Sequence, residues 1–338
     1  MKPDDDGPEP DLLGDPFHER PATRIRGPLA VLGSRVVFES NSEALLRLVD
    51  AAYAGLPRQR LPPAAQELRV RLFLTSKGHR RRRGEPPRLQ MFSGAGFVGG
   101  ATDPANLVVV NARQRAALVV VGPEMLDFPY HTRYELIEFA VYALVTRAHQ
   151  WVPLHAACVG SKGRGVLLMG GSGAGKSTVT MQSLLHGLEF LSEDSVLVAP
   201  KTLLAMGVAN FLHVGADSLR WVQPRVAERF RNAPVIRRRS GVRKFEVDLR
   251  QGKQWRLAAS ALKIGAVVFL SKETRPDEPL LAPLSAKETR VRLLESQPYA
   301  ANQPGWSTFM RNVSALGTFE LRRGRHPAEA VAALRSFL

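Results

Sequence analysis

From Arg24 to Ser40 apolar and polar positions alternate through Ile25, Leu29, Val31, Val36 and Phe38, a period of two that predicts strands with one buried face. Gly27-Pro28 and Gly33-Ser34 punctuate the run as turns, so a short hairpin is expected. The period then lengthens. Leu45, Leu46, Val49, Ala52 and Tyr53 recur at helical spacing behind Ser42, a suitable N-cap, and Gly55 and Pro57 stop the helix. Leu68 to Leu74 predicts another strand, and Leu107 to Asn111 with Ala116 to Val121 predicts a second hairpin. Tyr134 to His149 reads as an amphipathic helix burying Leu136, Ile137, Ala140, Leu144 and Val145.

After Trp151 the texture changes to strand, glycine-rich turn, helix, strand, the alternation of an α/β fold, with further buried strands at Leu203 to Val208 and Ala266 to Leu270. Ala328 to Leu338 predicts a closing helix, and no repeat at a period of 20 to 50 residues is evident. The expected organisation is an acidic, disordered lead over residues 1–20, a small α+β module over 21–150, and an α/β domain over 151–338.

Composition narrows the class. No apolar stretch reaches the roughly 20 residues of a membrane-spanning helix, and Met1 to Pro10, rich in Asp and Pro, do not read as a secretory signal. Cys158, the single cysteine, excludes an internal disulfide and a multi-cysteine metal site, and fits a reducing cytoplasm. The formal charge of +16 in 338 residues favours phosphate-bearing partners without naming one. Nucleic acid has no support beyond charge: no aromatic RNP motif, zinc spacing or clear helix-turn-helix signal accompanies it. The basic segment 77–83, followed by Gly84-Glu85-Pro86-Pro87, reads as a mobile surface loop. Arg237-Arg238-Arg239 reads either as a solvated face or as a flexible cationic segment, next to Arg243 and Lys244, that closes over phosphates or clamps an acidic acceptor.

The chemistry concentrates around one segment. Val166 to Met169 form a short apolar strand, Gly170-Gly171-Ser172-Gly173-Ala174-Gly175-Lys176-Ser177 follow at once, and a helix continues from Thr178 to Leu185. Glycines at these positions let main-chain N–H groups turn inward around phosphate oxygens at a helix N-terminus. Lys176 supplies a charge for the outer phosphates and Ser177 a hydroxyl for magnesium. The expected ligands are therefore ATP and Mg2+, with residues 170 to 178 as the binding segment. Phosphoryl transfer also needs groups that orient or deprotonate an acceptor and spread charge, and His155 upstream with Glu193 and Asp194 downstream are the candidates.

The spacing of His155, the loop from Gly170 and the acidic pair after Gly187 resembles the catalytic domain of the HPr kinase/phosphorylase family, whose nucleotide fold is shared with ATP-dependent phosphoenolpyruvate carboxykinase. The likeness spans His155 to Val198 and implies a P-loop kinase domain over 151–338. By resemblance, His155 sets the protonation of Glu193, Glu193 acts as base towards the acceptor hydroxyl, and Asp194 assists the metal held by Ser177. Glu193 stands where the family usually has Asp, and Thr178 where the bifunctional enzymes commonly carry Glu. Their C-terminal signature is absent from Val208 to Pro276. The resemblance thus implies a divergent relative acting on a serine-type hydroxyl of a protein, a peptide or a small molecule, and its relatives leave a homo-oligomer open. An NTP-hydrolysing switch or motor and a non-catalytic nucleotide sensor are the alternatives. Against the first stand the missing Leu-Ser-Gly-Gly signature and the lack of a long apolar strand ending in Asp-Glu.

Overall fold

The computed structural model describes residues 22–59, 61, 65–76, 84–252, 254–274 and 278–338, so the acidic lead and the basic run 77–83 lie outside the described residues. The early alternation yields β1 (Arg24–Val31) and β2 (Ser34–Ser40), paired antiparallel. Gly27-Pro28 is not a turn. Its peptide is cis and sits inside β1, where the register shifts between Arg26 and Leu29. Ser42 caps α1 (Glu43–Tyr53), accepting from the Leu45 amide at 3.4 Å, a cap of the kind that contributes about 1 kcal/mol. The helix buries Leu45, Leu46, Val49, Ala52 and Tyr53 on one stripe.

β3 (Glu67–Leu74), β4 (Gln90–Gly94), β5 (Phe97–Asp103), β6 (Asn106–Asn111) and β7 (Ala116–Val121) complete a mixed sheet in the order β1-β2-β3-β7-β6-β5-β4. Hydropathy does not announce β4 and β5, because glycines occupy positions where side chains would alternate. At Gly99 an added Cβ would lie 2.4 Å from the Val108 carbonyl oxygen and 2.5 Å from the Phe92 ring, so the neighbouring strand and the aromatic side chain use that space.

The helix expected at 134–149 begins earlier and is not uniform. It runs through α2 (Pro129–His131), a π-helical segment Thr132–Glu138, and α3 (Phe139–His149). Leu136, Ile137, Ala140, Leu144 and Val145 pack into the core of the first sheet. The other flank reaches the second sheet, where the Tyr142 hydroxyl donates to the Val196 carbonyl at 3.2 Å. The π turns carry Arg133, Tyr134 and Glu138.

The second sheet uses β8 (Val152–Leu154), β9 (Ala157–Ser161), β10 (Arg164–Met169), β11 (Glu189–Ser192), β12 (Val196–Ala199) and β13 (Leu204–Met206), with α4 (Lys176–Leu185) after β10. Beyond it come β14 (Phe211–Val214), α5 (Pro224–Arg231), β15 (Val235–Arg237), β16 (Arg243–Asp248) and β17 (Leu262–Leu270). β18 (Leu281–Pro283), α6 (Ala286–Ser296), α7 (Trp306–Leu316), β19 (Thr318–Leu321) and α8 (Pro327–Leu334) close the chain. The order is β11-β9-β10-β17-β13-β12-β8, with β19 parallel to β17 and β18 against β19, while β14-β16-β15 form a separate antiparallel sheet. α4 and α8 share the core on one face, and α6 and α7 that on the other. Covering both faces explains why Val166 to Met169 read as a continuous apolar run rather than an alternation. The molecule is thus of mixed α/β architecture. Among the described residues no helix is long and apolar enough to cross a membrane.

Candidate active site

β10 ends at Met169 and the chain turns immediately into the glycine-rich loop. Gly173 and Gly175 adopt φ of 77° and 100°, conformations that L side chains rarely take, and Gly175 caps α4. The first turn of α4 therefore carries Lys176 and Ser177 out of the end of a central, buried strand. A Cβ at Gly171 or Gly175 would meet no atom within 4 Å, so this backbone borders open space. That space is a cavity of about 620 Å3 lined by residues 170 to 179, the acidic pair, His155, Arg238, Lys244 and the basic segment from Arg322 to His326.

Two chains of charge converge on the acidic pair, which follows β11 on a bend. In the first, one Glu193 oxygen accepts from the Ser177 hydroxyl, and Lys244 lies 3.1 Å from Ser177 Oγ and 3.8 Å from Glu193 Oε1. The other Glu193 oxygen accepts from both the His213 amide and His213 Nδ1 at 3.0 Å. His213 Nε2 meets Glu246 at 3.2 Å, and Glu246 is paired with Arg133 from the π segment. An imidazole with a carboxylate oxygen at each nitrogen must donate from both, so this ring is the imidazolium. Burial alone would lower its pKa, yet the bonds to Glu193 and Glu246 outweigh that and raise it. Burial likewise pushes Glu193 up, and His213 with Lys244 pulls it below the usual carboxylate range.

In the second chain, the Asp194 carboxylate accepts from the Tyr134 hydroxyl and from Arg238 Nη2, both at 2.6 Å, while His155 Nδ1 donates to the Asp194 main-chain carbonyl at 3.1 Å and lies 3.2 Å from its carboxylate. Burial pushes Asp194 up, and the Arg238 charge together with the hydrogen bonds from Tyr134 and Arg238 holds it well below its ordinary pKa. His155 Nε2 lies 2.9 Å from Lys176 Nζ. Since an ammonium only donates, Nε2 is the acceptor and Nδ1 carries the hydrogen, so this histidine is neutral. Desolvation and the neighbouring Lys176 lower its pKa accordingly, although Asp194 pulls the other way. The His155 backbone is clamped by Gln297, which accepts from its amide at 2.8 Å and donates to its carbonyl at 3.2 Å.

The sequence-derived site residues His155, Lys176, Ser177, Glu193 and Asp194 meet in this one cleft, with Gly170 to Gly175 forming its floor. Thr178 borders it as well, its hydroxyl 2.8 Å from that of Ser218. The pairings differ from those expected. His155 bonds Asp194, not Glu193, because the bend after Ser192 points the second acid towards β8's end. Ser177 touches Glu193, not Asp194, whose Oδ2 accepts from Arg238 and Tyr134. Within the arginine run Arg237 is exposed, while Arg238 grips Asp194 at the edge of the cavity and Arg239 pairs with Glu135. Lys244 joins the site, whereas Arg243 is exposed. His213, Glu246, Arg133 and Tyr134 were not legible as site residues, and His213 in Phe-Leu-His-Val looks like any strand position.

The oxygens present suit a hard cation. Ser177 and one carboxylate are the sparse donor set magnesium uses when phosphate oxygens and water complete its shell. Among the described residues no group of three or more His, Cys, Asp or Glu gathers as an all-protein metal site.

A second cavity of about 620 Å3 adjoins the first, and His155, Glu193 and Asp194 line both. Its walls come from the first sheet, α3, β8 and the segment Val208 to His213.

No family model matches this chain, and no curated protein matches it. Among solved structures, it is similar to the Hpr(Ser) kinase/phosphatase from Coxiella burnetii at 13% identity, covering 54% of this chain and 94% of that one with a TM-score of 0.28.

Proposed function

We propose that this chain is an ATP- and magnesium-dependent phosphotransferase that moves the γ-phosphoryl group to a hydroxyl on a second molecule. The observation that supports it is the shared wall: the three side chains facing the phosphate loop also line a separate cavity, so donor and acceptor can meet across them. In this reading residues 151–338 form the P-loop kinase-like part and residues 21–150 supply much of the acceptor side. Main-chain amides of residues 170–177, Lys176, Lys244 and Arg238 hold the polyphosphate and offset its charge. Ser177 and Glu193 would hold magnesium, which when bound spreads the charge of the phosphate oxygens. Lys176 leaves His155 for phosphate, and the freed Nε2 takes the acceptor's proton while Asp194 fixes the ring through Nδ1. A neutral imidazole with a pKa below its ordinary value suits that task near neutral pH, whereas Glu193 is engaged by Ser177 and His213 and Asp194 by Arg238 and Tyr134. Acceptor oxygen then bonds to the γ-phosphorus as the bond to the β,γ-bridging oxygen breaks and ADP leaves.

The test is incubation with γ-labelled ATP, magnesium and source-cell extract, comparing the native chain with Lys176→Ala. Label transferred to an acceptor by the native chain alone supports the reading. Release of free phosphate with no labelled acceptor makes it an NTP hydrolase, and tight nucleotide binding without turnover makes it a sensor.

A further inference from the structure

We infer that the second cavity is the acceptor site and that its occupant is a small molecule with a largely apolar body carrying one hydroxyl, an inference that rests on the phosphotransferase reading. The cavity lies within the range of about 300–1,000 Å3 that engulfs a drug-sized ligand. Its body is walled by Leu32, Tyr53, Phe139, Tyr142, Ala143 and Val208. His155, Glu193 and Asp194 are the polar groups it shares with the phosphate-loop cavity. Several other polar side chains in the wall are engaged elsewhere, while Thr146 Oγ1 is buried there without a hydrogen-bond partner. Arg133 is paired with Glu246 and Glu138, Asn210 donates to the Ala52 carbonyl, and Gln303 donates to that of Tyr299.

This lining discriminates between acceptors. A seryl hydroxyl is one carbon from the peptide backbone, so delivering it to the acidic pair would draw backbone amides among apolar walls. There each unpartnered group costs about 1–3 kcal/mol. A hydroxyl at the end of an apolar body meets no such cost. It gains the burial of that body, about 25 cal/mol per Å2, and arrives with its one polar group beside His155. The cavity also explains why the π segment Thr132–Glu138 reaches into the site: one helical run supplies Tyr134 to Asp194 and Phe139, Tyr142 and Ala143 to the apolar wall.

The experiment uses the full chain and two arms. Nile red, a neutral apolar dye, is titrated into the protein and displaced with 2-naphthaleneethanol. One site is expected, weakened about tenfold or more by Ala143→Trp, which fills the cavity, with binding of a fluorescent ATP analogue unchanged. Val208→Phe replaces that variant should its melting curve show misfolding. Dye binding that neither substitution alters overturns the inference. In the second arm, extract labelled with γ-labelled ATP is separated by mass. Lys176-dependent label in the low-molecular-mass fraction, lost with Ala143→Trp, supports the inference. Lys176-dependent label confined to proteins or peptides overturns it while leaving the phosphotransferase reading intact. If ATP binds and no fraction is labelled, the phosphotransferase reading fails and the inference falls with it, whatever the dye shows.

Discussion

Replacing His213 by Leu gives a sharp test of the charge chain behind Glu193. His213 is 6% exposed and Glu193 4%, so the substitution removes a buried cation from between two carboxylates with almost no water to replace it. Removing one partner of such a pair costs about 3–5 kcal/mol, because the charge left behind is uncompensated. Here the main-chain N–H of residue 213 still donates to Glu193, and Arg133 still pairs with Glu246, which places the expected loss near the lower bound, about 3 kcal/mol. For a chain of 338 residues, whose unfolding entropy is about 2.1 cal/mol/K per residue, that is a fall in Tm of about 4 °C. The loss also has a sign in pH. Folding raises the His213 pKa, so its stabilisation is complete below the ordinary imidazole value of about 6.5 and drains away as pH rises through the folded value. Urea unfolding of both proteins from pH 5.5 to 9 should show the gap between them narrowing as pH rises. A gap below about 1 kcal/mol at pH 6, or one that widens with pH, would refute the imidazolium bridge.

Three other perturbations bear on the rest of the site. His155→Gln should lower kcat by about 10²–10⁴-fold, and the acid limb of the native pH–rate profile, which the lowered His155 pKa places under about pH 6.5, should vanish with it. Arg238→Gln removes the largest influence keeping Asp194 ionised. Because a depressed carboxylate pKa stabilises above its unfolded value and is lost as pH falls, acid unfolding of this variant should set in at a higher pH than that of the native chain, as followed by circular dichroism. Cys158, fully buried on β9 with its thiol pushed up by desolvation, should resist a thiol reagent until the chain is unfolded; rapid modification of the native protein would contradict the packing of that strand.

How much of this was legible in the sequence follows from how local each feature is. The α1 stripe and its Ser42 cap, the strand Val166 to Met169 and the loop behind it are set by neighbours within a few residues, so spacing alone reveals them. β4 and β5 escaped because glycines replace the apolar positions that periodicity needs, and the space at Gly99 is used by Phe92 and the next strand. The site itself was legible only as a set of residue types. That Glu193 would face Ser177 and Asp194 would face His155 depends on a bend after β11. That Arg238 would grip Asp194 depends on the hairpin of β15 and β16, 44 residues further on. Tyr134 arrives from 60 residues earlier through a π turn that no period of 3.6 announces.

The account rests on the triphosphate lying on the loop with its terminal phosphorus at the shared wall. A crystal structure with magnesium and a non-hydrolysable ATP analogue tests this most directly. The γ-phosphate should accept from loop amides and from Lys176, with His155 Nε2 released towards the second cavity. A nucleotide seated elsewhere, or a γ-phosphate walled off from His155 and Asp194, would contradict it.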